Sequence, residues 1–314
     1  MYGCKKATQA HIGNWCNGST QGFEPWGGGS EPSLSAKLSD IALEGRSKSE
    51  DGGLLLRAIK ADLSEGFQEI EVMLFADWHW ADPHSNHENI KKDLAYVAEH
   101  DNCFCVLNGD LMNCAIKSSV SDTYAETLSP MEELQICTEL FSPIKDKILC
   151  VTPGNHEMRH YKTNGIDITQ LMCRQLGIEE RYSPATALLF IRFGRDSGYN
   201  RHHRKVLYTM YVSHGNGGGR KEGGKVQRLV DLSTIVDADI YVCGHTHLPA
   251  MLKDSFARPS LGNSSVAFGT RLFVNTSSKL DYGGYGEIMG FKASCQDSPI
   301  IHLSGTRKEM RATI

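Results

Sequence analysis

Five short polar clusters in this chain combine the residue types that bind divalent metal ions in proteins. In chain order they are Asp77-Trp78-His79, Gly109-Asp110, Gly154-Asn155-His156-Glu157, His214-Gly215 and Gly244-His245-Thr246-His247. Carboxylate, amide oxygen and neutral imidazole together suit borderline or hard ions such as Mn, Zn or Fe, and no cysteine is needed. The residue types therefore predict a metal centre that does not depend on thiolates.

The chemistry that fits such a set is hydrolysis of a phosphate ester at two metal ions. One shared aspartate can bridge two ions about 3.5–4 Å apart, and the pair can clamp a phosphoryl group and lower the pKa of a bound water. Taken singly, the motifs differ in how specific they are. In a chain of this composition, D-x-H is expected by chance about 0.7 times and G-H-x-H about 0.05 times. The inference therefore rests on the ordered set of five.

The five clusters are far apart in the sequence, so strands and helices must bring them together. The hydrophobic pattern predicts such elements. Strands are predicted over 69–76, 103–107, 147–152, 187–193, 206–213, 238–243, 272–275 and 299–303, and helices over 86–100, 131–141, 166–176 and 226–235. Each polar cluster follows a predicted strand, and ligands collect beyond the carboxyl ends of strands in open α/β sheets. We therefore expect the five clusters to meet in one cleft of a layered α/β protein.

In their order along the chain, the five motifs resemble those of the calcineurin-like metallophosphoesterases, over about residues 57 to 305. The resemblance implies an α/β fold in which a β-sandwich is flanked by helices, four layers in the order α/β/β/α. It also implies a role for each matching position. One metal ion would be held by Asp77, His79, Asp110 and His247, Asp110 would bridge, and the second ion would be completed by Asn155, His214 and His245.

Two residues are expected to act in catalysis itself, Asp110 as the bridge and His156 as a group beside the metals. The resemblance implies that His156 protonates the leaving oxygen or stabilises the transition state. The family often has aspartate after this histidine, whereas this chain has Glu157. That departure leaves open which residue orients His156.

The activity implied by the resemblance is that of a hydrolase, which cleaves phosphate esters with a hydroxide activated by two divalent ions. A phosphodiesterase or nuclease acting on nucleotides or DNA is favoured, so the expected partners are a phosphate-ester substrate, a nucleotide or a nucleic acid. The alternative is a phosphomonoesterase, including a phosphoprotein phosphatase. A metal-free binding subunit on the same fold is disfavoured, because no ligand position is substituted.

Composition narrows the kind of protein further. The chain has 314 residues, a formal net charge of −4 and 40% hydrophobic residues, which fits a globular protein with a large core. It shows no run of 18 apolar residues and no visible secretory signal, so a cytoplasmic protein without a membrane segment is predicted. Its ten cysteines are scattered without a C-x-x-C pair, and reduced thiols are expected.

One stretch departs from the acidic balance of the chain. Residues 201–228 carry seven Lys or Arg against one acid, Glu222, and bracket the candidate ligand His214. The stretch is either a solvated loop or a positive rim that guides a polyanion to the metals. For Trp78 and Trp80, which follow the first predicted strand, packing in the core is favoured over stacking on a base.

The sequence divides into a tail over residues 1–52 and a catalytic domain over residues 53–314. The tail is rich in Gly, Ser, Asn and Pro and offers little apolar periodicity, so it cannot offset its ordering entropy and is predicted to be disordered. The peptide Gly22-Phe23-Glu24-Pro25 can be encoded by DNA like the T-arm of a tRNA gene, and the next methionine after Met1 is Met73. These features suggest a spurious N-terminal extension, in an element such as a prophage inserted at a tRNA gene.

Overall fold

The computed structural model describes residues 56–117, 119, 126–194, 206–260 and 262–314. The expected tail over residues 1–52 lies outside this described part, as do residues 201–205 of the basic stretch. No helix within the described ranges is long and apolar enough to cross a membrane.

Strands and helices alternate along the first half of the chain, and strands dominate the second half. The strands are β1 (Arg57–Leu63), β2 (Glu69–Phe75), β3 (Cys103–Asn108), β4 (Ile148–Thr152), β5 (Ala187–Phe193), β6 (Leu207–Ser213), β7 (Ile240–Cys243), β8 (Ala250–Ser260), β9 (Ser265–Asn275), β10 (Ile300–Ser304) and β11 (Met310–Thr313). The helices are α1 (His87–Glu99), α2 (Pro130–Phe141), α3 (Met158–Asn164), α4 (Ile168–Leu176), α5 (Glu222–Asp231) and α6 (Gly284–Ile288). Single 3₁₀ segments follow α2, α4 and α5, at Ser142–Lys147, Glu179–Arg181 and Leu232–Thr234.

The strands form two mixed sheets. A five-stranded sheet has the order β11-β10-β2-β3-β4, in which β2, β3 and β4 run parallel. A six-stranded sheet has the order β1-β5-β6-β7-β9-β8, in which β6, β7 and β9 run parallel. Each sheet therefore contains a block of parallel strands whose carboxyl ends lie at the same edge.

Alternation along the strands divides the apolar side chains between two sides of each sheet. On β2, Val72 and Leu74 pack into a core shared with the other sheet, whereas Met73 and Phe75 pack with residues of α1, α2 and α4. On the far side of the six-stranded sheet, Leu229 of α5 packs with aromatic residues of β6, β7 and β9. The layers are helices, sheet, sheet and helix, which confirms the expected four-layer α/β/β/α fold.

The elements that hold the predicted site agree with the sequence pattern to within a few residues. Helix α5 begins four residues before its predicted start and passes into a 3₁₀ turn. The strand predicted over 272–275 is the buried end of β9, which reaches back to Ser265. As expected, Cys103 and Cys105 share the face of β3 that packs against helices, with Phe104 on the opposite face.

Two tryptophans after β2 pack as the sequence predicts. Trp78 is fully buried and stacks on Phe141 of α2, with ring centroids 5.1 Å apart. Trp80 is also buried and stacks on His87 at 3.9 Å. Neither indole is therefore available as a surface for a nucleobase. The two buried rings instead flank His79 and hold its backbone in the core.

Candidate metal centre

The five polar clusters meet at one edge of the two sheets, where the parallel strands end. Asp77 and His79 follow β2, Asp110 follows β3, and Asn155 follows β4. From the other sheet, His214 follows β6, and His245 and His247 follow β7. The structure thus brings all seven predicted ligands and His156 into one place, as the rule for carboxyl ends of strands predicts.

Most of these ligand positions have an unusual backbone. Among the described residues, seven that are not glycine have a positive φ, and five of these are Asp77, His79, Asp110, His245 and His247, with φ between 48° and 66°. The left-handed region disfavours side chains with a Cβ, and such residues persist where the surrounding structure requires them, often at functional sites. The strain therefore marks the same residues that the motifs select.

Two glycines allow the loops after β3 and β4 to touch. Gly109 has a φ of 78°, and a Cβ on it would lie 2.3 Å from the backbone nitrogen of Gly154. A Cβ on Gly154 would lie 2.1 Å from Oδ1 of Asp110. Any larger residue would displace Asp110, which explains why glycine stands at both places.

The donor atoms converge in three overlapping groups. Within each group, one ligand atom per residue lies within 4.8 Å of the others: Asp77 with His79 and His247, His79 with Asp110 and His156, and Asp110 with His214 and His245. Asp110 and His79 each belong to two of these groups, and Asp110 is the carboxylate shared between them. Asn155 joins the third group through its Oδ1, which lies 3.3 Å from Nε2 of His214.

Hydrogen bonds to the outer ring nitrogens fix how two of the imidazoles face the centre. Nδ1 of His214 donates to the backbone oxygen of Asn108 at 2.6 Å, and Nδ1 of His79 donates to Oδ1 of Asn113 at 3.3 Å. In the neutral rings, Nε2 therefore presents a lone pair to the centre. Histidines that bind metals commonly donate their other nitrogen to a carbonyl or carboxylate in this way.

Several electron-pair donors thus face one another at close range. Nε2 of His79 lies 3.3 Å from Nε2 of His247, which is itself 3.3 Å from Oδ1 of Asp77. Nε2 of His214 lies 3.0 Å from Oδ2 of Asp110. Positive charge between such groups stabilises them, protons or a divalent ion can supply it, and the nitrogen and oxygen donors suit borderline divalent ions. The residues therefore fit a metal centre.

The electrostatics of the buried groups agree with this arrangement. Burial acts to raise the pKa of Asp77 and Asp110, but the neighbouring imidazoles outweigh it and hold the pKa of both carboxyls below the usual value. Burial lowers the pKa of His79 and His245, which keeps these rings neutral. His214 is the exception, because the carboxylates of Asp110 and Asp77 outweigh its burial and raise its pKa to about 10, so this ring would release a proton when a metal ion binds. Ionised carboxylates and neutral imidazoles are the forms that bind metals.

His156 lies beside the centre, with its ring held by two neighbours. Its Nδ1 lies 2.8 Å from Oδ1 of Asn113 and 3.0 Å from the backbone oxygen of the same residue. Its Nε2 lies 3.0 Å from Nη2 of Arg159 and 3.9 Å from Oδ2 of Asp110. The side chain is 16% exposed, so Nε2 can be reached from outside while the ring stays fixed.

The residue that orients His156 is therefore Asn113, which the sequence reasoning did not single out. Its amide nitrogen donates to the carboxylate of Glu126, so its oxygen is the atom that faces the two histidines. Glu157, the departure from the family pattern, instead accepts backbone N–H groups of the loop that carries Asp110. Asn113 stands three residues after Asp110, but nothing in its local sequence distinguishes it from an ordinary loop asparagine.

The fold and this site together define an α/β protein with a candidate metal centre at the carboxyl ends of its strands. The sequence model described as calcineurin-like phosphoesterase matches residues 70–249, more than half of the chain. The protein belongs to the calcineurin-like phosphoesterase family.

The chain is also distantly similar to several solved structures. A predicted phosphoesterase from Streptococcus pneumoniae is 13% identical with a TM-score of 0.31, covering 78% of this chain and 88% of its own. Vacuolar protein sorting 29 from Cryptosporidium parvum is 13% identical with a TM-score of 0.37, covering 79% and 97%. The Entamoeba histolytica form, in complex with Zn²⁺, is 13% identical with a TM-score of 0.33, covering 78% and 97%. No curated protein matches the chain significantly.

Proposed function

We propose that the protein is a phosphoesterase that works with two divalent metal ions, Mn, Zn or Fe. The observation that carries the proposal is the sharing of Asp110 between two groups of converging donor atoms. One ion would be held by Asp77, His79, Asp110 and His247, and the other by Asp110, Asn155, His214 and His245. Such a pair, when bound, lowers the pKa of a water molecule and neutralises charge on the phosphoryl oxygens.

The residues around the phosphate would then have separate roles. Asp110 holds both halves of the centre in register, because its Oδ1 accepts the N–H of His156 at 2.8 Å while its Oδ2 faces His214. Nε2 of His156 accepts from Arg159 in the neutral ring, and only when both ring nitrogens carry protons can His156 give the Nε2 proton to a leaving oxygen. Arg159 lies against the same nitrogen and is placed to contact a phosphate oxygen. The acid–base group and a positive charge would thus act together on the ester.

Within this activity, we favour phosphodiesters of nucleotides or DNA over phosphomonoesters, including phosphoproteins. The support is the surplus of positively charged residues around His214. Among the described residues of this stretch, Arg220 and Lys221 are exposed to solvent. The metal-free binding subunit is the remaining alternative, and the complete ligand set speaks against it. A cytoplasmic location remains a prediction.

The direct test is hydrolysis by protein reconstituted separately with Mn²⁺, Zn²⁺ and Fe²⁺. The panel contains an aryl phosphate monoester, an aryl phosphodiester, dinucleotides and single-stranded DNA. We expect the highest kcat/KM on diesters and about two metal ions per chain. Preference for the monoester would overturn the diester assignment, and stable protein that binds no metal and cleaves nothing would favour the binding subunit.

The role of the basic stretch can be tested separately, because its side chains do different things in the structure. Nζ of Lys225 donates to the backbone oxygen of Thr246 at 2.7 Å, between the candidate ligands His245 and His247. Lys225 is therefore a support of that loop, whereas Arg220 and Lys221 are candidates for contact with a polyanion.

We expect the double variant Arg220→Gln, Lys221→Gln to raise KM for oligonucleotides several-fold and to reduce its dependence on salt, because fewer counterions are released. An aryl phosphodiester, with one charge, should be nearly unaffected. Lys225→Met is the matched comparison, and it should impair both substrates alike. Unchanged oligonucleotide kinetics in the double variant would show that these two charges are merely solvated.

A further inference from the structure

Two buried glutamates bind the loop that carries Asp110. The carboxylate of Glu157 accepts the backbone N–H groups of Asp110, Leu111 and Met112 at 2.7–3.0 Å. The carboxylate of Glu133 accepts the next two, from Asn113 at 2.6 Å and Cys114 at 2.8 Å. Five consecutive N–H groups are thus bound by two side chains, which fixes the path of the loop residue by residue.

Glu133 differs from Glu157 because it comes from a separate element. It lies in the first turn of α2, where Pro130 and the capping box formed by Ser129 and Glu132 begin the helix. The side chain is fully buried, and burial raises its pKa to about 7. Burying a carboxyl group is costly unless it is hydrogen-bonded, so its two bonds to the loop are what makes the position tolerable.

The second of these bonds supports a strained residue. Cys114 has a φ of 48° and is fully buried. Without an acceptor, its N–H would be an unsatisfied buried donor, which destabilises the folded state. Glu133 therefore stabilises the turn that sends Asn113 toward the metal centre.

From Asn113, the chain of contacts reaches two histidines at once. Oδ1 of Asn113 lies 3.3 Å from Nδ1 of His79 and 2.8 Å from Nδ1 of His156. One oxygen atom therefore sets the orientation of a candidate metal ligand and of the candidate general acid. A shift of the Asn113 backbone would turn both rings, since both are tied to the same atom.

We propose that Glu133 is a positioning residue of the metal centre, which acts through Asn113 to orient His79 and His156. The role rests on the proposed function, in which these histidines bind metal and transfer a proton. Glu133 itself touches neither histidine. Its effect is therefore expected on metal affinity and on turnover together, with KM for the ester changed little.

The test compares Glu133→Gln with Glu132→Gln, the same substitution at the neighbouring position. Glu133→Gln leaves one acceptor oxygen for two N–H groups, whereas Glu132 is exposed and, among the described residues, its carboxylate bonds to Ser129 of the helix cap. Loss of partners that orient metal ligands costs about 10–100-fold in affinity or activity. We expect that range for Mn²⁺ affinity, measured by calorimetry, and for kcat in Glu133→Gln. Both should stay within about twofold of the native protein in Glu132→Gln.

A second measurement keeps this proposal separate from the proposed function. In the metal-free native protein, the imidazole nitrogens of His79 and His156 should show hydrogen-bonded Nδ1–H signals by NMR, and Glu133→Gln should weaken both. Unchanged signals and unchanged Mn²⁺ affinity would overturn the role of Glu133, even if the native protein hydrolyses esters. Altered signals would support it, even if no ester on the panel is cleaved. If Glu133→Gln fails to fold, Glu133→Asp, which keeps both acceptor oxygens on a shorter stem, is measured in the same way.

Discussion

Asp110→Asn is expected to abolish measurable hydrolysis and to lower bound metal from two ions per chain toward one or none. The substitution keeps the shape of the side chain but removes the charge that faces both groups of donors. An uncharged amide cannot neutralise two cations, and it would present an N–H₂ group to one of them. Metal content by elemental analysis and kcat on an aryl phosphodiester are the two measurements.

The matched control for this prediction is Asp82→Asn. Asp82 follows the same strand, β2, but its carboxylate accepts the N–H of His84 at 2.8 Å and belongs to none of the three donor groups. It should keep both metals and nearly full activity. Normal metal content and full activity in Asp110→Asn would refute the assignment of Asp110 as the bridge.

His156→Ala is expected to leave metal content close to normal and to reduce kcat by about 10²–10⁴, the usual range for a general acid or base. The ring lies outside the two proposed ligand sets, with Nε2 toward Arg159 and the open side. The loss should be smaller on nitrophenyl esters than on alkyl or nucleoside esters, because a good leaving group needs little protonation.

His160→Ala serves as the control, since His160 is a half-buried histidine of the same short helix, α3. It should change kcat by no more than about twofold on either class of ester. Equal losses on good and poor leaving groups in His156→Ala would contradict proton donation and leave only stabilisation of the transition state.

Hydrophobic runs with polar residues at their ends are sufficient to predict an α/β protein in which the five clusters meet, whereas the four-layer arrangement follows from the resemblance to the family. Strand β8 was missed because almost every side chain along it is exposed, so it shows no apolar pattern. Helix α3 was missed for a similar reason, since none of its residues is buried. Short or exposed elements form because of contacts with neighbouring elements. The local sequence therefore shows little apolar periodicity that could predict them.

The supporting residues of the site were harder to predict than the candidate ligands. Glu133 stands beside Glu132 at the start of a helix, where acidic residues commonly favour the helix dipole. Nothing in the sequence distinguishes the exposed member of this pair from the buried one. The difference arises because the loop after β3 passes over α2, and that contact joins residues about twenty positions apart.

The left-handed backbone at Asp77, His79, Asp110, His245 and His247 has a consequence for selection experiments. Each such residue stores about 1–3 kcal/mol that glycine would release. A screen of random variants for survival after heating without metal would therefore enrich glycine at His245 and His247, whereas Asp77 and Asp110 also accept backbone N–H groups whose loss offsets the gain. The surviving variants would be more stable to heat, but each would have lost a candidate metal ligand. With divalent ions in the heating buffer, the same screen should retain the native residues, because metal ions that bind to the folded state then stabilise it.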